Sequence, residues 1–186
     1  MYFFLFPLIV GFVFAGASAF TTVYSRRFGA RGGTIITAIL RNLLGIRLLT
    51  VGYVWAWLRQ SQWVFAPRGF TTILGWIVVT VGAVPLLVGH LYVGMRSQFP
   101  SVKDTLVRNG LYAYIRQPIY AGVLLLFSGL VLARPTLTVL LASATAIIWA
   151  LIQARLEEID LILRLPQYRD YMSEVPRFIP RHQWLG

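Results

Sequence analysis

Five apolar runs alternate with short polar segments along the chain. They extend from Tyr2 to about Val23, about Thr34 to Leu58, about Phe70 to Met95, Pro118 to about Ala133, and about Thr136 to Gln153. A membrane-spanning helix needs about 20 mostly apolar residues, and the first three runs meet that length. No basic residue precedes the first run, which outlasts the roughly 7–15 apolar residues of a signal peptide. Arg26 and Arg27 follow it in the manner of a stop-transfer signal, so it reads as a retained span. The last two runs are shorter and are parted only by Arg134 and Pro135, the pattern of a tight helical hairpin. The predicted fold is an all-α membrane protein of about five transmembrane helices, including a C-terminal hairpin, with a short C-terminal helix and tail beyond it. It forms a single membrane domain, with two N-terminal spans in residues 1–69 and a core in residues 70–181.

The exceptions to the apolar pattern carry expectations of their own. Arg41 and Arg47 interrupt the second run. An arginine at the centre of a span is costly in lipid, so Arg47 is predicted to face the bundle or a wet cavity. Arg41, nearer the end, can snorkel to the surface. Gly75, Gly82, Gly89 and Gly94 in the third run permit close helix contact, and Pro85 can kink that span. His90 in the same run reads as an interhelical hydrogen-bonding group, and His182 near the end as solvated.

Composition agrees with the pattern. Hydrophobic residues make up 58% of the chain and charged residues 12%, against about 25% charged in ordinary soluble domains. The formal net charge is +11, from 17 basic and 6 acidic residues. The basic residues lie between apolar runs and form no patch for nucleic acid, so they are read as topological. Arg26, Arg27 and Arg31, then Arg96, Lys103, Arg108 and Arg116, then the arginines after the last span fall on one side; Arg59, Arg68 and Arg134 fall on the other. The positive-inside rule then places the C-terminus in the cytoplasm and the N-terminus outside, in an inner (cytoplasmic) membrane of bacterial or archaeal type. Trp55, Trp57 and Trp63 suit an aromatic belt at the outer surface. The chain has no cysteine, which excludes disulfides, thiolate metal sites and cysteine catalysis. Two histidines without a nearby carboxylate pair make no metal site.

Chemistry is therefore expected in two polar blocks on the cytoplasmic side. The first reads Leu106-Val107-Arg108-Asn109-Gly110-Leu111-Tyr112, followed by Arg116-Gln117-Pro118-Ile119-Tyr120-Ala121-Gly122. The second holds Glu157-Glu158, Tyr168 and Tyr171, and Val175-Pro176-Arg177-Phe178-Ile179-Pro180. In these blocks, over about residues 70–181, the sequence resembles the isoprenylcysteine carboxyl methyltransferase family, whose wider group includes integral-membrane phospholipid N-methyltransferases. The shared pattern is L-V-x-x-G-x-Y, R-H-P-x-Y-x-G, paired acids after a helical hairpin, Y-x-x-Y, and V-P-R-F-x-P.

The resemblance implies a membrane-embedded methyltransferase using S-adenosylmethionine, with the cofactor in a pocket roofed by the C-terminal segment and a lipophilic or lipid acceptor entering from the bilayer. It implies catalytic roles for Arg116, Glu158 and Arg155. It implies cofactor contacts from Leu106, Val107, Gly110, Tyr112, Gln117, Pro118, Tyr120, Glu157 and Glu158. The residue types suit such a ligand. A carboxylate accepts hydrogen bonds from a ribose diol or pairs with an ammonium. Arginine clamps a carboxylate bidentately. Gly110 lets backbone come close, and tyrosines offer flat apolar faces with a polar tip. Alternatively, Glu157 and Glu158 are the solvated face of a helix whose buried side is Leu156, Ile159 and Leu163, and Arg116 and the tail are structural anchors.

Departures from the pattern matter. Gln117 stands where the family has histidine, and Gln153 where an arginine often lies one turn before the acids, with Arg155 as its possible replacement. Leu163-Arg164-Leu165-Pro166 replaces the common Phe-Gly. Two rival readings accompany the methyltransferase: a membrane reductase with the layout of the steroid 5α-reductase group using NADPH, and a non-catalytic protein that kept the fold. The acceptor (carboxylate, amine or thiol) and the oligomeric state are left open.

Overall fold

The computed structural model describes residues 2–180; Arg181 and His182 lie outside the described residues. Helix α1 (Leu5–Ala17) is apolar but only 13 residues long. The expected single span from Tyr2 to Val23 is in fact broken. After Gly16 and Ala17, the Ser18 hydroxyl donates to the Ala15 carbonyl at 2.6 Å, and such local side-chain bonds compete with the helical ladder. A new helix, α2 (Thr21–Ala38), starts three residues later. It doubles back at Gly29, whose φ of 74° is open to glycine without strain. Its two halves touch, Thr37 Oγ1 donating to Thr21 Oγ1 at 3.3 Å. Arg26, Arg27 and Arg31, expected in a loop between spans, sit exposed on helix around this turn.

A π-helical segment (Ile39–Gly45) joins α2 to α3 (Ile46–Leu58). The buried positions of this stretch are small, Gly45, Gly52 and Ala56, and Ala56 packs with Phe4, with Leu8 of α1 and with Ala142. Leu49 and Tyr53 pack against the same cluster, so the inward face of α3 runs through positions 49, 52, 53 and 56 and leaves position 47 outside it. Arg47 is therefore exposed on the outer surface and does not face the bundle, whereas Arg41 is turned inward and does not snorkel.

Helix α4 (Gly69–Val93) continues through Pro85 and packs along α5 (Pro118–Ala133). The contact is backbone to backbone. A Cβ added at Gly82 would lie 2.8 Å from the Gly122 carbonyl oxygen, and one at Gly122 would lie 2.5 Å from the Gly82 carbonyl oxygen. The regular glycine spacing of the third run serves this seam. Pro118 opens α5, where its fixed φ suits the first helical position.

Helix α6 (Leu137–Arg164) is 28 residues long. The segment after Gln153, expected as a separate helix, is its continuous C-terminal half, because no breaker occurs before Pro166. Only α7 (Tyr168–Glu174) stands apart. Among the described residues, three stretches are long and apolar enough to cross a membrane: Thr21–Leu58, Gly69–Ser97 and Leu137–Arg164. Helices α1 and α5 are apolar but shorter. At the end of the bundle far from α7, the loop after α3 is tied to the α5–α6 turn, the Leu137 N–H donating to the Gln62 carbonyl at 3.0 Å. The Arg134 guanidinium there lies over the Trp57 ring.

Candidate active site

At the opposite end, a cavity of about 280 Å³ lies between the ends of α4, α5 and α6 and beneath α7, close to the roughly 300 Å³ lower end of ligand pockets. Gly94 ends α4 with a φ of 59° and starts the polar segment that crosses the cavity mouth. Gly110, with a φ of 58°, turns that segment where any side chain would overlap the Tyr92 ring. The short 3₁₀ turn that follows (Gly110–Ala113) brings Tyr112 inward.

The two adjacent acids of α6 occupy different surroundings. Successive residues on a helix point about 100° apart. Glu157 lines the cavity; Glu158 is fully buried and does not. Glu158 is gripped by Arg177 (Nη2–Oε2 2.5 Å, Nε–Oε1 3.1 Å) and by Arg116 (Nε–Oε1 3.3 Å). Arg155 is more than half exposed and reaches it only at 3.7 Å. Arg116 Nη1 donates to the carbonyls of Met172 at 2.5 Å and Val175 at 2.6 Å. The backbone N–H groups of Arg116 and Gln117 donate to the carbonyls of Pro176 and Arg177. The Val-Pro-Arg tail is thus a strap fastened to the start of α5 and to Glu158.

Glu157 Oε1 accepts from Arg41 Nη2 at 2.6 Å and from Gln153 Nε2 at 3.4 Å. Asp160, also buried, accepts from the Thr22 N–H at 2.9 Å and lies 3.3 Å from Arg164. Arg164 in turn reaches Asp104 at 3.3 Å and the Ser101 carbonyl. Several buried polar atoms of the cavity-lining residues have no hydrogen-bond partner: Trp149 Nε1, Gln153 Oε1 and Tyr168 Oη. Buried polar groups are normally satisfied, so these three atoms stand out as unpaired among the described residues that line the cavity. Trp149 is also stacked on Phe12 and met edge-on by Tyr120.

Of the residues singled out in the sequence, Leu106, Val107 and Tyr112 line the cavity, as do Arg116, Gln117, Tyr120 and Glu157. Gly110, Pro118, Arg155 and Glu158 do not. The sequence reading did not place Arg41, Asp160, Asp104, Arg164 or Trp149 at the site. Their only signal was charge or polarity inside or beside an apolar run, with nothing to join partners more than 100 residues apart, as Arg41 and Glu157 are.

Tyr171 couples the roof to the turn, its hydroxyl donating to the Tyr112 carbonyl at 2.5 Å. Burial pushes the Tyr171 hydroxyl up to about 12, against the pull of the Arg116 and Arg108 guanidiniums. Burial also raises Tyr112 and Tyr168. In the unfolded chain tyrosine ionises near pH 10, so the folded state holds the proton more tightly. This stabilisation is fully present below about pH 10 and is lost as pH rises toward 12. Thermal unfolding followed from pH 9 to 12 should show a falling midpoint, with a shallower fall in Tyr171→Phe. Equal slopes would remove Tyr171 from the account.

These features describe an all-helical protein with membrane-length helices and a partly polar cavity at one end of the bundle. The phospholipid methyltransferase family model matches residues 69–164, slightly more than half the chain, so the protein belongs to that family of membrane methyltransferases. Neither a curated protein nor a solved structure matches it. Residues 1–68, and the strap with its Tyr168 and Tyr171, lie outside the matched segment.

Proposed function

We propose that the protein transfers a methyl group from S-adenosylmethionine to a lipophilic acceptor, a carboxylate, amine or thiol, at the cytoplasmic face of its membrane. The observation that carries this reading is the cavity itself, with a carboxylate and unpartnered buried donors and acceptors among aromatic walls. Bound there, S-adenosylmethionine would supply an electrophilic methyl carbon for in-line displacement. The residues present fit such a group. Glu157 Oε2, whose sister oxygen is held by Arg41, accepts hydrogen bonds from a diol or pairs with an ammonium. Gln153 Oε1 accepts, and Trp149 Nε1 and Tyr168 Oη donate. Tyr112 and Tyr120 provide flat faces. Arg116 and Glu158 act one step removed, by holding the roof that excludes water. Orientation and desolvation of this kind can supply roughly 7–11 kcal/mol of a barrier.

The acceptor's path is apolar. Val93, Ile119 and Val123 line the cavity together with Ile46, which is also 45% exposed on the outer surface of α3. A lipid chain can lie along that side. If the acceptor must lose a proton, His90 is in the same lining. Its Nδ1 is 2.8 Å from the Leu86 carbonyl oxygen, which only accepts, so Nδ1 carries the proton and Nε2 of the neutral ring is an acceptor. The exposed Arg26, Arg27 and Arg31 support the cytoplasmic side for the end they mark. Residues 1–69 and 70–181 are proposed to act as one membrane domain.

The test is calorimetry of the purified, detergent-solubilised protein with S-adenosylhomocysteine and with NADPH, followed by labelled methyl transfer to membrane lipids. Binding of the first and label in a lipid fraction are expected. Tight NADPH binding without S-adenosylhomocysteine binding would overturn the proposal in favour of a reductase. Binding without transfer in the parent, with transfer in Gln117→His, would mark a fold that has lost its activity.

A further inference from the structure

We propose that Arg41 is the positioning residue for Glu157, so that the methyl-donor pocket is completed by the N-terminal segment outside the matched region. The inference rests on the donor-site reading of the cavity. Arg41 is joined to three separate elements. Nη2 donates to Glu157 Oε1 on α6 at 2.6 Å, Nη1 to the Ser97 carbonyl after α4 at 2.9 Å, and Nε to Ser18 Oγ at the α1–α2 break at 3.3 Å. Asn42, the next residue, donates to the Gln98 carbonyl at 2.8 Å.

Both members of the ion pair are mostly buried, with side chains 17% and 20% exposed. A carboxylate so placed needs a cation and a full set of hydrogen bonds. The nearby candidates on α6 do not supply the cation. Gln153, one turn before Glu157, is neutral, and Arg155 lies beside Glu158. Arg41 therefore carries the charge, from a different helix. It also fixes which oxygen is engaged: the hydrogen bonds from Arg41 and Gln153 both fall on Oε1. The planar fork of arginine meets its three partners through three separate nitrogens, whereas a lysine would have to reach all of them from one.

Local backbone geometry supports the assignment. Arg41 and Asn42 lie in the segment Ile39–Gly45, the π-helical stretch among the described residues. Such wide turns recur at functional sites, and this one directs two consecutive side chains to the Ser97–Gln98 carbonyls.

The test compares the wild type with Arg41→Gln, Arg41→Lys, the swap Arg41→Gln/Gln153→Arg, and Arg31→Gln as an exposed control. S-adenosylhomocysteine affinity, KM for the donor against kcat, and the thermal midpoint are measured in each. Arg41→Gln should weaken donor affinity and raise its KM roughly 10–100-fold, the loss of one charge-assisted contact, with a smaller change in kcat. The swap returns a guanidinium to the (i, i+4) position before Glu157 and should recover most of the affinity. Should Arg41→Gln not fold, Arg41→Lys serves, with an intermediate loss expected. Wild-type affinity in a folded Arg41 variant would overturn the role while leaving the donor site standing. So would a swap that recovers the thermal midpoint but not the affinity. A wild type that does not bind S-adenosylhomocysteine overturns the donor site, and this role with it.

Discussion

Replacing Glu158 with alanine should cost about 3–5 kcal/mol of stability, the usual consequence of removing one partner from a buried ion cluster. Glu158 has no exposed surface, and Arg116 is nearly as enclosed. Without the carboxylate, two guanidiniums lose their counter-charge, and Arg116 keeps only the Met172 and Val175 carbonyls. The strap would then detach at Arg177, and the cluster of Leu165, Tyr168, Tyr171 and Val175 beneath it would open. Chemical unfolding should show the loss directly, and limited proteolysis should cut the tail of Glu158→Ala before the helices. Arg177→Ala should cost less, because Arg177 is one-third exposed. Donor binding should weaken in both variants in step with strap release. A Glu158→Ala protein within about 1 kcal/mol of the parent would remove the strap from the mechanism.

Much of this arrangement was legible because each signal was local. Glycines at regular intervals in the third run marked a close seam, and the fold uses them against Gly122 and Gly129 of α5. Pro118 after a polar block marked a helix start. The order of fragments from Leu106 to Pro180 gave the family and the end of the chain where chemistry should lie. What was misread depended on tertiary packing. An unbroken apolar run from Tyr2 to Val23 does not reveal that Ser18 will stop one helix and Thr21 start another. Arg41 and Arg47 came out reversed, since the inward face of α3 runs through Leu49, Gly52, Tyr53 and Ala56 and the π-helical segment before it turns Arg41 into the bundle. The tail was legible as a pattern but not as a fastening, because its partners are backbone N–H groups at the start of α5, the Arg116 guanidinium and a carboxylate 19 residues away. The paired acids were legible as a pair, and composition could not say that only one faces the cavity.

That division predicts opposite phenotypes for neighbouring residues. Glu157→Gln should cost less stability than Glu158→Ala but weaken S-adenosylhomocysteine binding roughly 10–100-fold, as expected when a charged acceptor is lost from a ligand's hydrogen bonds. Glutamine keeps the shape and an oxygen for Arg41, which also retains the Ser97 carbonyl and Ser18. One guanidinium loses its counter-charge here and two lose it at Glu158, so the penalty is smaller than that at Glu158. Calorimetric affinity and unfolding, measured on both variants, separate the two roles. Glu157→Gln should change affinity far more than the thermal midpoint. In Glu158→Ala the two should fall together. If excess donor raises the midpoint of Glu158→Ala but not of Glu157→Gln, the affinity loss in the former passes through the roof and in the latter through the pocket. Equal responses in the two variants would mean that the acids act as one unit and that the cavity does not distinguish them.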